Sequence, residues 1–221
     1  MDEKKFNSMA RPELTHPYVA SKQAASVIML RQATGGKLEV YVQHRATTMD
    51  FAAGAVVFPG GRTDAEDSVF KFEEDAQPVL LEHVNGWQRT SLGSNNRDRA
   101  LSNSSMMLRT GLREVEEETG VGLQPHILRP WGNLITPVGY PKRFDTFFFL
   151  ATPDDDVLPE NITTEAVSAD WHSIESILDD AEAERLALMR PTKFLLMDIL
   201  EQNTIDDLLS RDPVVQPIRG L

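Results

Sequence analysis

The sequence predicts a mixed α/β fold in one domain, and the order of its segments carries that expectation. β-prone runs open the chain, the clearest helical pattern sits in the middle, and further strands followed by helices close it. That order describes a mixed sheet covered by helices, not a regularly alternating βαβ series. A length of 221 residues accommodates one full core with insertions, and 41% apolar with 25% charged residues is ordinary for a globular chain.

Residues 1–20 are polar and broken by Pro12 and Pro17, so an N-terminal arm is expected there and a single domain over 21–221. Residues 24–31 and 38–44 are β-prone, and Thr34-Gly35-Gly36-Lys37 between them predicts a hairpin. An apolar stretch at 55–58 ends in Pro59-Gly60-Gly61. The chain then turns polar, with a helix expected around 79–84 and a loop marked by Gly86, Gly93, Asn95 and Asn96. Residues 68–104 thus read as a helical insertion, and long inserts in compact domains commonly serve as lids or as parts of a specificity pocket. Leu108, Leu112 and Val115 recur at helical spacing, and Gly120 or Gly122 is expected to end that helix. Strands are expected at 127–135 and 143–150, around a turn at 137–141, and again at 165–171. Two helices, near 174–186 and from Pro191 onward, are expected to close the domain.

The formal charge of -12 argues against a protein built to grip nucleic acid, whose phosphates call for a basic surface. An anionic substrate would need divalent cations to screen it from so acidic a chain. The absence of cysteine removes disulfides and thiolate metal sites. The opening residues lack the apolar core of a signal peptide, and the longest apolar runs are too short to cross a bilayer. The expectation is a cytoplasmic protein with no membrane or nucleic-acid partner, for which a homodimer is one of the assemblies allowed.

Chemistry concentrates in Arg113-Glu114-Val115-Glu116-Glu117-Glu118-Thr119-Gly120-Val121. At about 100° per residue, Glu114, Glu117 and Glu118 share one helical face while Leu108, Leu112 and Val115 occupy another. The apolar face is expected to anchor and the acidic face to project to the surface. Carboxylates crowded in this way repel one another. Clustered hard oxygen ligands suit Mg²⁺ or Mn²⁺, which would turn the repulsion into binding energy. Arg113 precedes Glu117 by one helical turn and is placed to brace a carboxylate.

This string resembles the second half of the Nudix box at every specified position, a coincidence expected by chance in below roughly one such chain in ten thousand. The resemblance implies a Nudix-type α/β/α sandwich and a hydrolase of diphosphate linkages. Val57-Phe58-Pro59-Gly60-Gly61 resembles the glycine turn that opens the box; in the family this turn packs on the catalytic helix, implying metal ligation through the Gly60 carbonyl and substrate contact at Gly61. The family places a glutamate six residues after the second glycine and the arginine eight residues later, whereas here Asp67 stands at the first of these positions and residues 68–112 precede Arg113. Either Asp67 takes the glutamate's place across an inserted excursion or the outer acid is missing; Glu66 is a second candidate.

The spelling FPGGRTDAED and the later run Pro141-Lys142-Arg143-Phe144-Asp145-Thr146-Phe147-Phe148-Phe149 are similar to the Nudix branch of peroxisomal coenzyme A diphosphatases and their bacterial relatives. The coenzyme A motif of that branch is matched at Arg45, Ala46 and Gly54, but Asp50 replaces its second arginine. Arg45 is the candidate phosphate contact and Glu165 a candidate additional acid near the metals. Trp87, Trp131 and Trp171 are candidates to stack on a base. The resemblance implies metal held by Glu114, Glu117, Glu118 and Gly60, with Arg113, Glu117 and Glu118 catalytic. The substrate expected is a small nucleoside diphosphate compound, coenzyme A or its esters among them. The rival is a Nudix-like nucleotide sensor that binds without turnover.

Overall fold

The computed structural model describes residues 19–48, 52–154, 156–202, 204–211 and 214–220. Asp50 and the first eighteen residues of the expected arm lie outside them. Strand β1 (Lys22–Gln32) is the centre of the sheet. Its residues 24–30 are all buried because both faces of the strand are covered, which is why it reads as a continuous apolar run and not as an alternation.

The expected hairpin joins β1 to β2 (Leu38–Arg45), antiparallel, with Gln32 opposite Leu38. On its other edge β1 runs parallel to β6 (Phe144–Ala151), which pairs antiparallel with β5 (Arg129–Ile135). Strand β8 (Pro217–Arg219), which the sequence did not predict, adds a parallel edge to β5. Strand β2 carries β3 (Val56–Val57) and β7 (Ala166–Ser173), both antiparallel. The short β4 (Gly60–Arg62) pairs with the start of β1 over residues 24–26, whereas β2 pairs with its end over residues 30–32. Two strands therefore share one edge of β1 and part company at residues 27–29, where Val27 N–H donates to the Pro59 carbonyl at 2.9 Å.

Helices lie on both sides. On one face, Ala25, Val27, Met29, Tyr41, Phe147 and Phe149 pack against α2 (Gln77–Trp87) and α3 (Arg97–Thr119) through Trp87, Met107, Leu108, Leu112 and Val115. On the other, Ile28, Leu30, Val40, Val42, Phe148 and Leu150 meet α4 (Ile174–Glu182), α5 (Arg190–Leu200) and α6 (Ile205–Ser210). The alternation of Phe147, Phe148 and Phe149 between the two cores is the period of the strand itself. Each fully buried Leu or Phe contributes about 2 kcal/mol, so the two cores fix α3 against the sheet. The mixed α/β sandwich is as expected.

Three expectations need adjustment. Helix α3 begins at Arg97, capped by the Asn96 side chain on Arg99 N–H at 2.9 Å, so residues 97–104 are its first two turns and not part of an excursion. Helix α1 (Ala65–Val69), a short 3-10 turn, α2 and the loop over residues 88–96 make up the rest of the inserted segment. Helix α2 buries Leu80, His83 and Trp87 in the first core, so this part of the insertion is structure beneath α3 and not a lid. Trp87 is fully buried, edge-on to Phe147 and Phe149, and is thereby removed as a base-stacking candidate.

Candidate active site

Helix α3 meets the double-glycine turn where β4 and β2 separate. Its last turn is closed by Gly120, left-handed at φ 72°, as the sequence predicts. Glu118 is buried, contrary to the expectation of a surface acid, and accepts two hydrogen bonds on one oxygen. Oε2 takes Gly60 N–H at 3.0 Å and Gln43 Nε2 at 3.1 Å. For Gly60, the contact with the helix is thus made by its N–H. A methyl group on Gly61 would stand 2.4 Å from Glu114 Oε1, so only glycine lets the turn lie against that carboxylate. Glu117, one turn beyond Arg113, keeps a side chain 57% exposed.

Arg113 organises the acids. Its Nε and Nη2 bind Asp67 Oδ1 and Oδ2 at 3.0 and 2.9 Å, a bidentate pair, and Nη1 reaches Glu114 Oε1 at 2.9 Å and Glu117 Oε2 at 3.0 Å. Nη2 also donates to the Arg62 carbonyl at 3.0 Å, tying the helix to β4. Asp67 is 1% exposed and further accepts from Thr110 Oγ1 and Asp64 N–H, both at 2.9 Å. Of the two outer-acid alternatives, the structure brings Asp67 to Arg113 across 46 residues and leaves Glu66 exposed. Burial pushes the Asp67 carboxyl up, but the hydrogen bonds from Arg113, Asp64 and Thr110 outweigh it and hold the group below its usual value. The same pairing raises Arg113.

The other two buried acids move in the opposite direction. Burial, aided by the charge of Glu114, pushes Glu118 up to about 7 against the hydrogen bonds from Gly60 and Gln43. Burial likewise raises Glu114, with Arg113 opposing. Among the described residues no group of three His, Asp or Glu side chains is arranged to hold a metal ion, because Arg113 draws Glu114 and Glu117 while Glu118 turns to Gly60 and Gln43. The donor set nevertheless fits a hard divalent cation. Glu118 is a buried carboxylate held by neutral donors alone and Glu114 a half-buried one beside it, and they flank a turn in which a Cβ has no room.

Arg45 and Glu165, expected separately as phosphate contact and additional acid, are paired at 3.0 Å. Arg45 Nε is buried without a partner, and the Glu165 charge is one of those that raise Glu118. Tyr41 and Gln43 alternate along β2 toward α3. Gln43 was missed because a lone glutamine in a strand carries no motif, and its meaning depends on a partner 75 residues away. The rings of Trp131 and Trp171 are already covered by Arg211 and Arg31 at 4.6 and 4.5 Å.

Residues 108–191 match the NUDIX domain family model. The Nudix match begins within α3 and so takes in the glutamate face, leaving the glycine turn upstream beyond the inserted segment. The chain is also 29% identical over 186 residues to "Putative nudix hydrolase 7" of Caenorhabditis elegans, covering 79% of this chain and 59% of that protein. It thus spans somewhat over half the length of this relative. Among solved structures, the fold is similar to a NUDIX hydrolase from Alicyclobacillus acidocaldarius, with a TM-score of 0.68, 22% identity, and 87% of this chain and 96% of that one covered. A MutT protein from Methanosarcina mazei matches with a TM-score of 0.50 at 16% identity, covering 84% and 98% of the two chains. The two structures carry the fold alone. No helix among the described residues is long and apolar enough to cross a membrane.

Proposed function

We propose that the protein is a metal-dependent Nudix hydrolase that cleaves the diphosphate linkage of a small nucleoside diphosphate compound. The observation that carries this is the meeting of Glu118 and Gly60 at 3.0 Å, which brings the glutamate helix and the glycine turn together across the insertion. Glu114, Glu117 and Glu118, with the Gly60 backbone, would hold Mg²⁺ or Mn²⁺. The bound cation would neutralise phosphoryl oxygens and acidify a water for in-line attack.

The chain's own groups do the rest. Arg113, anchored by Asp67, fixes the rotamers of Glu114 and Glu117. Glu117, the most exposed of the three acids, accepts the proton of the attacking water, and Glu118 is the second candidate for that role. Arg45 leaves Glu165 for a substrate phosphate, and Glu165 then adds to the acids around the cation. Coenzyme A and its esters are the substrate suggested by the FPGGRTDAED spelling; ADP-ribose, dinucleotides and nucleotide sugars compete with it.

Purified protein with Mg²⁺ or Mn²⁺ is expected to release phosphorylated fragments from at least one of coenzyme A, ADP-ribose and NADH, read by phosphate release after coupled phosphatase treatment. Nucleotide binding without turnover would instead establish the sensor reading, which the dispersed carboxylates favour. Neither binding nor turnover would refute both.

A further inference from the structure

We propose that Gln43 is a positioning residue: together with the Gly60 N–H it clamps Oε2 of Glu118, so that Oε1 is the oxygen presented to a divalent cation. The inference rests on the reading of Glu118 as a metal ligand and adds to it a residue on β2 that no sequence motif marks.

Gln43 is 1% exposed, in a strand whose neighbours on the sheet are Val57 of β3 and Ala169 of β7. A buried amide costs free energy unless it is hydrogen-bonded, and an aliphatic side chain would fill such a place without that cost. Its Nε2 stands 3.1 Å from Glu118 Oε2. An ionised carboxylate only accepts, so the amide nitrogen and not its oxygen must face it. Gly60 N–H reaches the same oxygen at 3.0 Å. One carboxylate oxygen has two lone pairs, and both are therefore engaged on Oε2, which leaves Oε1 for another partner.

The character of the two donors also matters. Glu114 and Glu117 share the guanidinium of Arg113, whereas Glu118 is held by neutral N–H groups. Neutral donors orient a carboxylate without cancelling its charge, so its attraction for a cation is retained; a lysine or arginine at position 43 would compete with that cation. The clamp also reaches across the gap between β2 and β4, so it sets Glu118 relative to both strands that leave β1.

The test is Mn²⁺ binding to the full chain, read by the loss of the free Mn²⁺ signal in electron paramagnetic resonance, for the parent, Gln43→Met, Gln43→Asn and Glu118→Gln. Gln43→Met keeps shape and removes the donor; Gln43→Asn keeps an amide but draws it back by one methylene. Both are expected to bind Mn²⁺ roughly tenfold more weakly than the parent, in the range seen when groups that orient metal ligands are removed, while each metal-free variant still melts cooperatively. If Gln43→Met fails to fold, Gln43→Asn decides. Parent-like Mn²⁺ affinity in the folded variants, with Glu118→Gln weakened, overturns the clamp and spares the metal site. A parent that binds no Mn²⁺ overturns the metal reading and the clamp with it.

Discussion

Glu117 and Glu118 are adjacent in the chain and differ in what surrounds them. The Glu117 side chain is 57% exposed, whereas Glu118 is 7% exposed and fixed by Gly60 and Gln43. Helical spacing legibly placed both with Glu114 on one side of α3, but an angle about a helix axis does not say which strand end will cover part of that side. Their Gln variants should therefore separate stability from turnover. Glu117→Gln is expected to change unfolding free energy by less than about 0.5 kcal/mol, as surface substitutions do, while Glu118→Gln removes a poorly compensated buried charge and should not destabilise the metal-free protein. Both should lower kcat at least about 100-fold on whichever substrate the screen identifies; undiminished kcat in both would sink the site. Asp67 behaves differently, because its removal strands a guanidinium that is 11% exposed in its side chain. Asp67→Ala is expected to cost about 3 kcal/mol in urea unfolding, the scale for breaking a buried pair, and a loss below 1 kcal/mol would show that Glu114 and Glu117 suffice to hold Arg113. The sequence left Asp67 and a missing acid as alternatives, since a loop of any length can close and a spacing of 46 residues favours neither.

The C-terminal half of α3 was legible from its apolar period and its closing glycine; the N-terminal half was not. The segment 97–104 (RDRALSNS) carries an aspartate, an asparagine and two serines, which favour caps and turns over helix interiors, and only two apolar residues to mark a face. Its helical state comes from packing, with Ala100 and Ser104 buried and Asn96 capping the first turn. The double-glycine turn has the converse property, for its spelling was plain but the distinct duties of its two glycines were not. At Gly60 a Cβ would meet backbone, 2.4 Å from the Ala25 carbonyl oxygen and 2.6 Å from Ser26 Cα; at Gly61 the atoms it would meet first are the carboxyl end of Glu114. Backbone of a central strand cannot yield, whereas a side-chain terminus can swing away. Gly60→Ala is therefore expected to lower the melting temperature by several degrees, consistent with an overpacking cost of about 1 to 3 kcal/mol. Gly61→Ala should melt near the parent and yet lose Mn²⁺ affinity, because Glu114 must leave the turn. Equal melting temperatures for the two variants would mean that β4 is free to move off β1.

At the scale of the whole molecule, the segment between the double-glycine turn and α3 is part of the fold. Ser91 in the insertion donates to Asp145 of β6 at 2.6 Å, Val215 N–H reaches the Gly86 carbonyl at 2.9 Å just before β8, and α2 lies under β5 and β6. Local sequence reading sees polar composition and a short amphipathic helix there; it has no access to contacts made by segments that arrive later in the chain. The same burial yields a prediction for global stability through His83, which is 1% exposed, stacked on Phe149, and bonded through Nε2 to the Leu128 carbonyl at 2.8 Å. A carbonyl only accepts, so Nε2 carries a proton, and Nδ1, buried with no hydrogen-bond partner, has nothing to stabilise a second one. Burial lowers its pKa from 6.5 to about 4, the Leu128 carbonyl opposing in part. Between those values the unfolded chain takes up a proton that the folded chain refuses, so stability is fully present above pH 6.5 and declines as pH falls toward 4, by about 3 kcal/mol in all. His83→Gln cannot titrate and can still donate an N–H to Leu128. Its unfolding free energy, followed in urea from pH 7 to 4.5, should fall less steeply than the parent's, with the shared carboxylate titrations cancelling in the comparison. Parallel curves would mean that His83 takes up a proton as readily in the folded chain as in the unfolded one, and that the insertion opens to water well before the sheet does.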